Sequence, residues 1–330
     1  MIELDRSQLR AVCERACRGA GATPPQAELL AEATVEAELR GRRPVGVSHL
    51  LDYLGGFHDG RITTDVAPSV EQPTPVVVRV DCHGGLAQHG FDVAAEALVG
   101  AADTYGLAVL AVESCFTVGE LDHYTRRLNA AGLIGLTCAN SPALMSVAGA
   151  RSPVLGTNPL SFGVPLPDGR RLTVDQASSA TAWVSVRDAA NRGAQIPLGW
   201  AVGPDGSPTT SADEGLAGAL LPFGGYKGGN IALMVEVLAT LAGGRFSSAA
   251  PPFNEGAHSP SVGMLVLALS PEVVGEGYPE RLQAQLTAWH DDHGADVTVW
   301  IDPGEAPGCA VPDELYQTLT AWGRRADTST

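Results

Sequence analysis

Lysine is all but missing from this chain. Of its 21 lysine and arginine side chains, only Lys227 is lysine. Replacement this thorough reads as drift that filled every position able to take a guanidinium. The one retained ammonium is therefore a candidate for work that arginine cannot do. Lys227 lies in Phe223-Gly224-Gly225-Tyr226-Lys227-Gly228-Gly229-Asn230, a glycine-rich stretch that runs into an apolar helical pattern. A compact ammonium on a flexible stem fits a tight backbone cradle around a phosphate or ribose oxygen, where a planar fork does not. The competing reading is an exposed loop position that drift has left alone; the glycine neighbours favour the first.

Other scarcities narrow the class. No apolar run approaches the roughly 18 residues a membrane span needs. The N-terminus, Met1-Ile2-Glu3-Leu4-Asp5-Arg6, is acidic and amphipathic rather than a signal peptide, so the expected compartment is the cytoplasm. Positive charge is outweighed, 21 basic against 37 acidic side chains, for a net charge of −16. That balance disfavours nonspecific binding to nucleic acid or to an anionic membrane. The one basic cluster is Arg40, Arg42 and Arg43. Aromatic residues make up 5% of the chain and hydrophobic residues 45%, as suits an Ala/Leu/Val/Gly-rich α/β core. The six cysteines are scattered in mostly apolar surroundings. Cys13 and Cys17 share a helix face but lack His or Asp partners, so no metal site is expected and buried reduced thiols are. No Gly-x-Gly-x-x-Gly follows the first strand, which argues against an ordinary dinucleotide-binding fold.

What is present reads as alternating helices and strands. Residues 5–18, 24–40 and 46–59 carry helical periodicity, the second opened by Pro24-Pro25. Further helices are predicted over Phe91–Tyr105, Leu121–Ala131, 182–192, Ile231–Leu241, 278–292 and 313–323. Strands are predicted at Val76–Val80, Ala108–Glu113, Ile134–Cys138, Arg171–Val174, Gly263–Ala268 and Asp296–Ile301. Stretches 195–212 and 244–260 read as turn and loop, and no repeat or long linker divides the chain.

Several blocks in the right order resemble a known family. They are Val154-Leu155-Gly156-Thr157-Asn158-Pro159, Val174-Asp175-Gln176-Ala177-Ser178-Ser179, Ile196-Pro197-Leu198-Gly199-Trp200-Ala201, Gly203-Pro204-Asp205-Gly206-Ser207-Pro208-Thr209-Thr210 and Leu221-Pro222-Phe223-Gly224-Gly225-Tyr226-Lys227-Gly228. Together they are similar to the second malate/L-lactate dehydrogenase family, which includes ureidoglycolate, sulfolactate and diketogulonate oxidoreductases and a cyclic-imine reductase. The likeness runs from about residue 5 to 322 and is weakest after 244. It implies a non-Rossmann α/β fold with a mainly antiparallel NAD(P)-binding sheet, a homodimer, a small-molecule substrate and NADPH or NADH as cofactor. It also implies a helical domain from residues 1–75 and 310–330 beside a nucleotide- and substrate-binding region over 76–309. Carried over by motif, cofactor contacts fall at Asn140-Ser141, at Asp175, Ala177, Ser178 and Ser179, at Lys227-Gly228, and at Gly304-Glu305. Glycine lets backbone N–H groups approach a pyrophosphate, and a helix beginning near Gly229 points its positive end there.

The catalytic half of the pattern is depleted. The family's N-terminal motif reads Arg-Gly-x-x-Ser-His-Gly-x-x-Arg-Leu-x-x-Tyr, in which the His is the acid/base and the later Arg holds a carboxylate. This chain has Arg40-Gly41-Arg42-Arg43-Pro44-Val45-Gly46-Val47-Ser48-His49-Leu50-Leu51-Asp52-Tyr53. Ungapped, Arg40, Gly41, Gly46, Leu50 and Tyr53 match, Ser-His becomes Pro44-Val45, and the Arg becomes His49. A second register aligns Ser48-His49 directly, at the cost of a compensating insertion and deletion. The ungapped register keeps more matches. The family's second motif, Asn-Ser-Asn-His-Phe-Gly, stands here as Ser114-Cys115-Phe116-Thr117-Val118-Gly119, with Thr117 at the His.

Reduction of C=O or C=N needs a proton source within hydrogen-bond reach. Candidates are His49, one helical turn after Val45 and assisted by Ser48, and His123 or Tyr124 on the next helix. Each has a plainer reading as a hydrogen-bonded helix residue. Asp52 and Glu120 read as solvated, and Cys115 as a buried thiol. Arg42 or Arg43 could replace the missing carboxylate anchor. Two functions follow. One is an NAD(P)-dependent reductase of a cyclic imine or 2-oxo-acid-type carbonyl with a relocated acid, of the kind that serves specialised metabolism. The other is a repurposed family member without ordinary hydride transfer, whether a non-redox enzyme or a binding protein.

Overall fold

The computed structural model describes residues 1–326. In chain order the elements are β1 (Ile2–Asp5), α1 (Arg6–Ala20), α2 (Pro24–Leu39), α3 (Val47–His58), β2 (Ser69–Thr74), β3 (Val77–Asp81), α4 (Ala87–Tyr105), β4 (Leu107–Cys115), α5 (Asp122–Ala130), β5 (Ile134–Ala139), β6 (Leu160–Pro165) and β7 (Arg171–Gln176). Then come α6 (Trp183–Asn191), β8 (Ala201–Val202), α7 (Ala212–Ala217), β9 (Ala219–Leu220), α8 (Tyr226–Leu241), β10 (Val262–Leu269), α9 (Pro271–Val274), α10 (Tyr278–His293), β11 (Gly308–Val311) and α11 (Asp313–Ala326).

Local chemistry sets the boundaries. Asp5 and Gln8 form a reciprocal capping box: the Asp5 carboxylate accepts from Gln8 N at 2.9 Å, and the Gln8 side chain accepts from Asp5 N at 3.1 Å. Gly21, at φ 108°, ends α1 in the left-handed conformation. The buried stripe of α1, including Leu9, Cys13, Ala16 and Cys17, packs on α2, α3 and α11. Burial pushes both thiols up, as expected for interior cysteines.

The main sheet has seven strands in the order β2-β3-β4-β10-β5-β6-β7. Only β3 and β4 run parallel; every other neighbouring pair is antiparallel. Central β10 reads as an unbroken apolar run because both faces are covered. Met264, Val266 and Ala268 join Phe91 and Leu98 of α4 in one core. On the other face Gly263 meets the end of α8, where an added Cβ would stand 2.1 Å from the Ala239 carbonyl oxygen. A smaller core gathers Met145, Val186, Ile196, Leu220 and Ala232.

Two expectations change. Asp296–Ile301 is not a strand: the Asp296 carboxylate accepts from Thr298 N at 3.1 Å and winds Val297–Trp300 into a 3-10 turn. The helix expected from Ile231 begins at Tyr226, so Lys227 sits in its first turn. Strand β2 carries no apolar alternation and is exposed throughout, as an edge strand allows. No helix among the described residues is long and apolar enough to cross a membrane.

Candidate active site

The sheet's connectivity delivers chain ends to one place. Antiparallel pairing sets Val262, at the start of β10, opposite Cys115 at the end of β4, and Met264 opposite Ala139 at the end of β5. Leu160, opening β6, pairs with Gln176, closing β7. The loops leaving β4, β5 and β7 and those entering β6 and β10 therefore share one end of the sheet. There, with the turn before α3, they enclose a cavity of about 410 Å³.

Part of the lining is apolar, supplied by Leu144, Trp183, Val184, Phe253 and Val262. The lining also carries charge, on Arg42, Glu120 and Asp175. Gly119, at φ 68°, turns the chain after β4 and sends Glu120 inward. Glu120 was expected to be solvated; it is 6% exposed, and both carboxylate oxygens are buried without a hydrogen-bond donor. The nearest cation is Arg42, whose Nε lies 3.9 Å away. Burial, reinforced by the charge of Asp122, lifts the Glu120 carboxyl to about 7. Asp175, near the end of β7, lines the same cavity and rises to about 8, through burial and then the charges of Glu120 and Asp122. Asp122 behaves oppositely. Arg171 binds it through two nitrogens, Arg126 stands at 3.1 Å and Thr173 donates at 2.9 Å. Burial would raise its carboxyl, but these donors hold it down to about 2.

Of the catalytic candidates, His49 reaches the cavity wall. Its Nδ1 lies 3.0 Å from Asp52 Oδ2, leaving Nε2 as the nitrogen able to meet a ligand. Asp52 is thus partly buried and paired, not freely solvated. Ser48 stands off the wall and donates to the Arg43 carbonyl at 2.8 Å. His123 is buried with Nδ1 2.8 Å from Glu36 Oε2, and Tyr124 is buried and donates to the Val118 carbonyl at 2.7 Å; neither lines the cavity. Cys115 is buried, its Sγ 3.5 Å from that of Cys82. Pro44, Val45 and Thr117 do line the cavity, so the positions that hold Ser, His and His in the ungapped family motifs face it here without a titratable group.

Of the cofactor candidates, Asn140, Ser141, Asp175 and Ala177 line the cavity. The Asn140 side chain is engaged, donating to the Arg245 carbonyl at 2.7 Å and accepting from Gly263 N at 3.0 Å. Ser178 donates to the Asn158 carbonyl and Ser179 to that of Thr181. Lys227 is exposed and has no hydrogen bond or ion pair among the described residues, and Gly228 fits only as glycine, since a Cβ would stand 2.1 Å from the Phe223 carbonyl oxygen. Gly304 and Glu305 lie off the wall. Gly304 N donates to Asp302, and Glu305 pairs with Arg6 and Arg40. Sequence reading missed the buried state of Glu120 and the wall residues Trp183 and Phe253. A single acid after a glycine gives no signal of burial.

A second cavity, of about 1120 Å³, lies along residues 146–151, 221–222, 224–226 and 229–230. Loop 140–151 and segment 175–184 contribute to the walls of both cavities. Gly224 and Gly225, at φ 56° and 65°, border the second with no other group within 4 Å of where a Cβ would stand. They lead into the 16-residue α8, whose N-cap has no side-chain hydrogen bond.

A sheet in this order, almost wholly antiparallel, is not a Rossmann sheet, and its end carries the cavity. The sequence pattern of the malate/L-lactate dehydrogenase family matches residues 4–306. The chain belongs to that family and is an oxidoreductase. It is 34% identical over 331 residues to a Delta(1)-pyrroline-2-carboxylate/Delta(1)-piperideine-2-carboxylate reductase of Pseudomonas aeruginosa, covering 97% of this chain and 99% of the relative. It is also 34% identical to a (2R)-3-sulfolactate dehydrogenase (NADP(+)) of Chromohalobacter salexigens, over 89% of this chain and 88% of that one. The crystal structure of delta1-piperideine-2-carboxylate reductase from Pseudomonas syringae superimposes with a TM-score of 0.88 at 29% identity, covering 98% of this chain and 100% of that one.

Proposed function

We propose that this protein uses NADPH or NADH to reduce a small carboxylate-bearing substrate, a cyclic imine in first place and a 2-oxo acid in second. One observation carries the reading: a single cavity combines apolar side chains, the cation Arg42, the imidazole of His49, and two carboxyls, Glu120 buried and Asp175 partly buried, able to hold protons near neutral pH. The names of the similar reductases support the imine, and that of the sulfolactate dehydrogenase supports the phosphorylated nucleotide.

The residues present fit a dinucleotide. The two cavities with shared walls give length for its two halves. The bare Gly224-Gly225 backbone and the uncapped start of α8 offer free N–H groups to a pyrophosphate, with Lys227 in the same turn. When bound, the nucleotide supplies a hydride. Arg42 and His49 take the substrate carboxylate, His49 oriented by Asp52 as a paired imidazole. Trp183, Phe253 and Val262 exclude water from the reacting bond.

The reading extends to a homodimer in the cytoplasm. Leu233, Met234, Val237 and Leu241 form an apolar stripe on α8, each more than half exposed, which a second copy would cover. All six cysteines are free, as suits a reducing compartment.

A calorimetric titration with NADPH and NADH, on wild type and Lys227→Ala, tests the cofactor assignment. Binding weakened in the variant is expected; no binding of either nucleotide would overturn the reductase reading in favour of a repurposed fold, for which the unprotonatable Pro44, Val45 and Thr117 speak.

A further inference from the structure

Resting on the reductase reading, we infer that Glu120 and Asp175 hold one proton between them and deliver it to the substrate, in place of the histidine acids that this chain lacks. Asp175 is the donor and Glu120 its positioning partner.

The argument starts from unused and used charge. Glu120 is buried, faces the cavity and has no donor on either oxygen. Its surroundings are rich in arginine, yet those side chains are committed elsewhere. Arg126, from α5, pairs with Glu36 and Asp122. Arg40, following α2, pairs with Asp302 and Glu305. Arg171, from β7, pairs with Asp122 and Asp302. Arg42, half-exposed and 3.9 Å from Glu120, is the one cation among the described residues left facing it. From α3 the cavity receives His49, itself paired with Asp52.

Two carboxyls with one loosely placed cation do not both ionise in a partly dry cavity; the cheaper state keeps a proton on one of them. Asp122 cannot be that one, since two arginines hold it ionised. Its fixed negative charge raises the cost of a second anion nearby. The retained proton thus belongs to Glu120 and Asp175, the two remaining acids that line the cavity.

The step balances. A hydride from the reduced nicotinamide adds to the carbon of C=N or C=O. The double-bond electron pair moves to the nitrogen or oxygen, the carboxyl O–H breaks, and an N–H or O–H bond forms. The substrate is reduced, the nucleotide oxidised, and the carboxylate left behind regains its proton from solvent. Val45 and Thr117 offer no proton for this step.

The test pairs two readouts. The first needs no nucleotide: infrared titration of the free protein for a protonated-carboxyl band. Wild type should keep the band at neutral pH and lose it as pH rises through about 8; Asp175→Asn should weaken it and bring its loss down to about 7, where Glu120 alone releases its proton. The second is the pH dependence of kcat with NADPH and Delta(1)-piperideine-2-carboxylate. Asp175→Asn should lower kcat by roughly 10²-fold or more. Glu120→Gln should keep part of the activity and move the alkaline limb to lower pH by roughly one unit, because Asp175 loses a negative neighbour. Absence of the band in wild type, or an Asp175→Asn variant with wild-type kcat and an unmoved limb, would overturn the inference. A wild type that shows the band but reduces no imine or 2-oxo acid would overturn the reductase reading, and with it the delivery step, while leaving the shared proton established.

Discussion

Asp175 and Arg42 show how far single side chains depend on what surrounds them. In the folded protein Asp175 holds its proton to about 8, whereas the unfolded chain releases it near the ordinary 3.8. Between those values the folded state binds more protons. The contribution to stability is therefore full below about 4 and is lost as pH rises through about 8. Asparagine does not titrate, so Asp175→Asn should gain melting temperature relative to wild type between about pH 5 and about pH 9, by at least about 2 °C. Thermal melts at the two pH values check this, and a difference independent of pH would contradict the raised Asp175 carboxyl. Arg42 is half-exposed and loosely paired, so its removal should spare folding. Arg42→Ala should raise KM for a carboxylate substrate roughly tenfold or more with a smaller change in kcat. Equal KM in steady-state assays would remove it as the anchor.

At the scale of elements, α8 carries the most consequence. Glu236, 3% exposed, accepts from Asn158 Nδ2 at 2.9 Å and from the Ser247 backbone N and hydroxyl at 2.6 Å each. It ties the loop before β6, with its Thr157 and Pro159 cavity wall, to the loop that follows α8. Asn158 sits at φ 38°, and this anchoring holds it there. Glu236→Ala leaves the Ser247 donors unpaired and Asn158 Nδ2 with the Ala232 carbonyl alone, and should cost roughly 2–4 kcal/mol, read from denaturant midpoints. The stripe on the same helix makes a different prediction: Leu233→Glu with Val237→Glu should convert a dimer to monomer in light scattering, and a wild-type monomer would refute the assembly. The sequence announced this helix through its apolar run but hid its start, because Tyr226-Lys227-Gly228-Gly229 reads as loop when the packing of Gly228 against Phe223 is unknown. The Asp296–Ile301 strand failed for the converse reason, a side-chain cap overriding alternating apolar residues.

Across the whole molecule, the longer helices and the strands β3, β4, β5, β7 and β10 were legible because apolar periodicity is local, while the exposed edge strand β2 and the short strands β1, β8, β9 and β11 carry too little of it. Strand order was not legible, and neither was the gathering of loop ends that makes the cavity. The resemblance located the blocks around Asp175 and Lys227, while the depleted motifs at Pro44, Val45 and Thr117 marked the cavity wall by what they lack. The replacement acid stayed hidden. Glu120 and Asp175 are 55 positions apart in sequence, and only the antiparallel sheet shows that both face one space. The most direct test of the account is therefore NADPH oxidation by the wild-type protein with Delta(1)-piperideine-2-carboxylate, followed across pH. Sustained turnover near neutrality that falls as pH rises through about 8 is the predicted result. A protein that binds the nucleotide yet never oxidises it with this imine or with 2-oxo acids would contradict it.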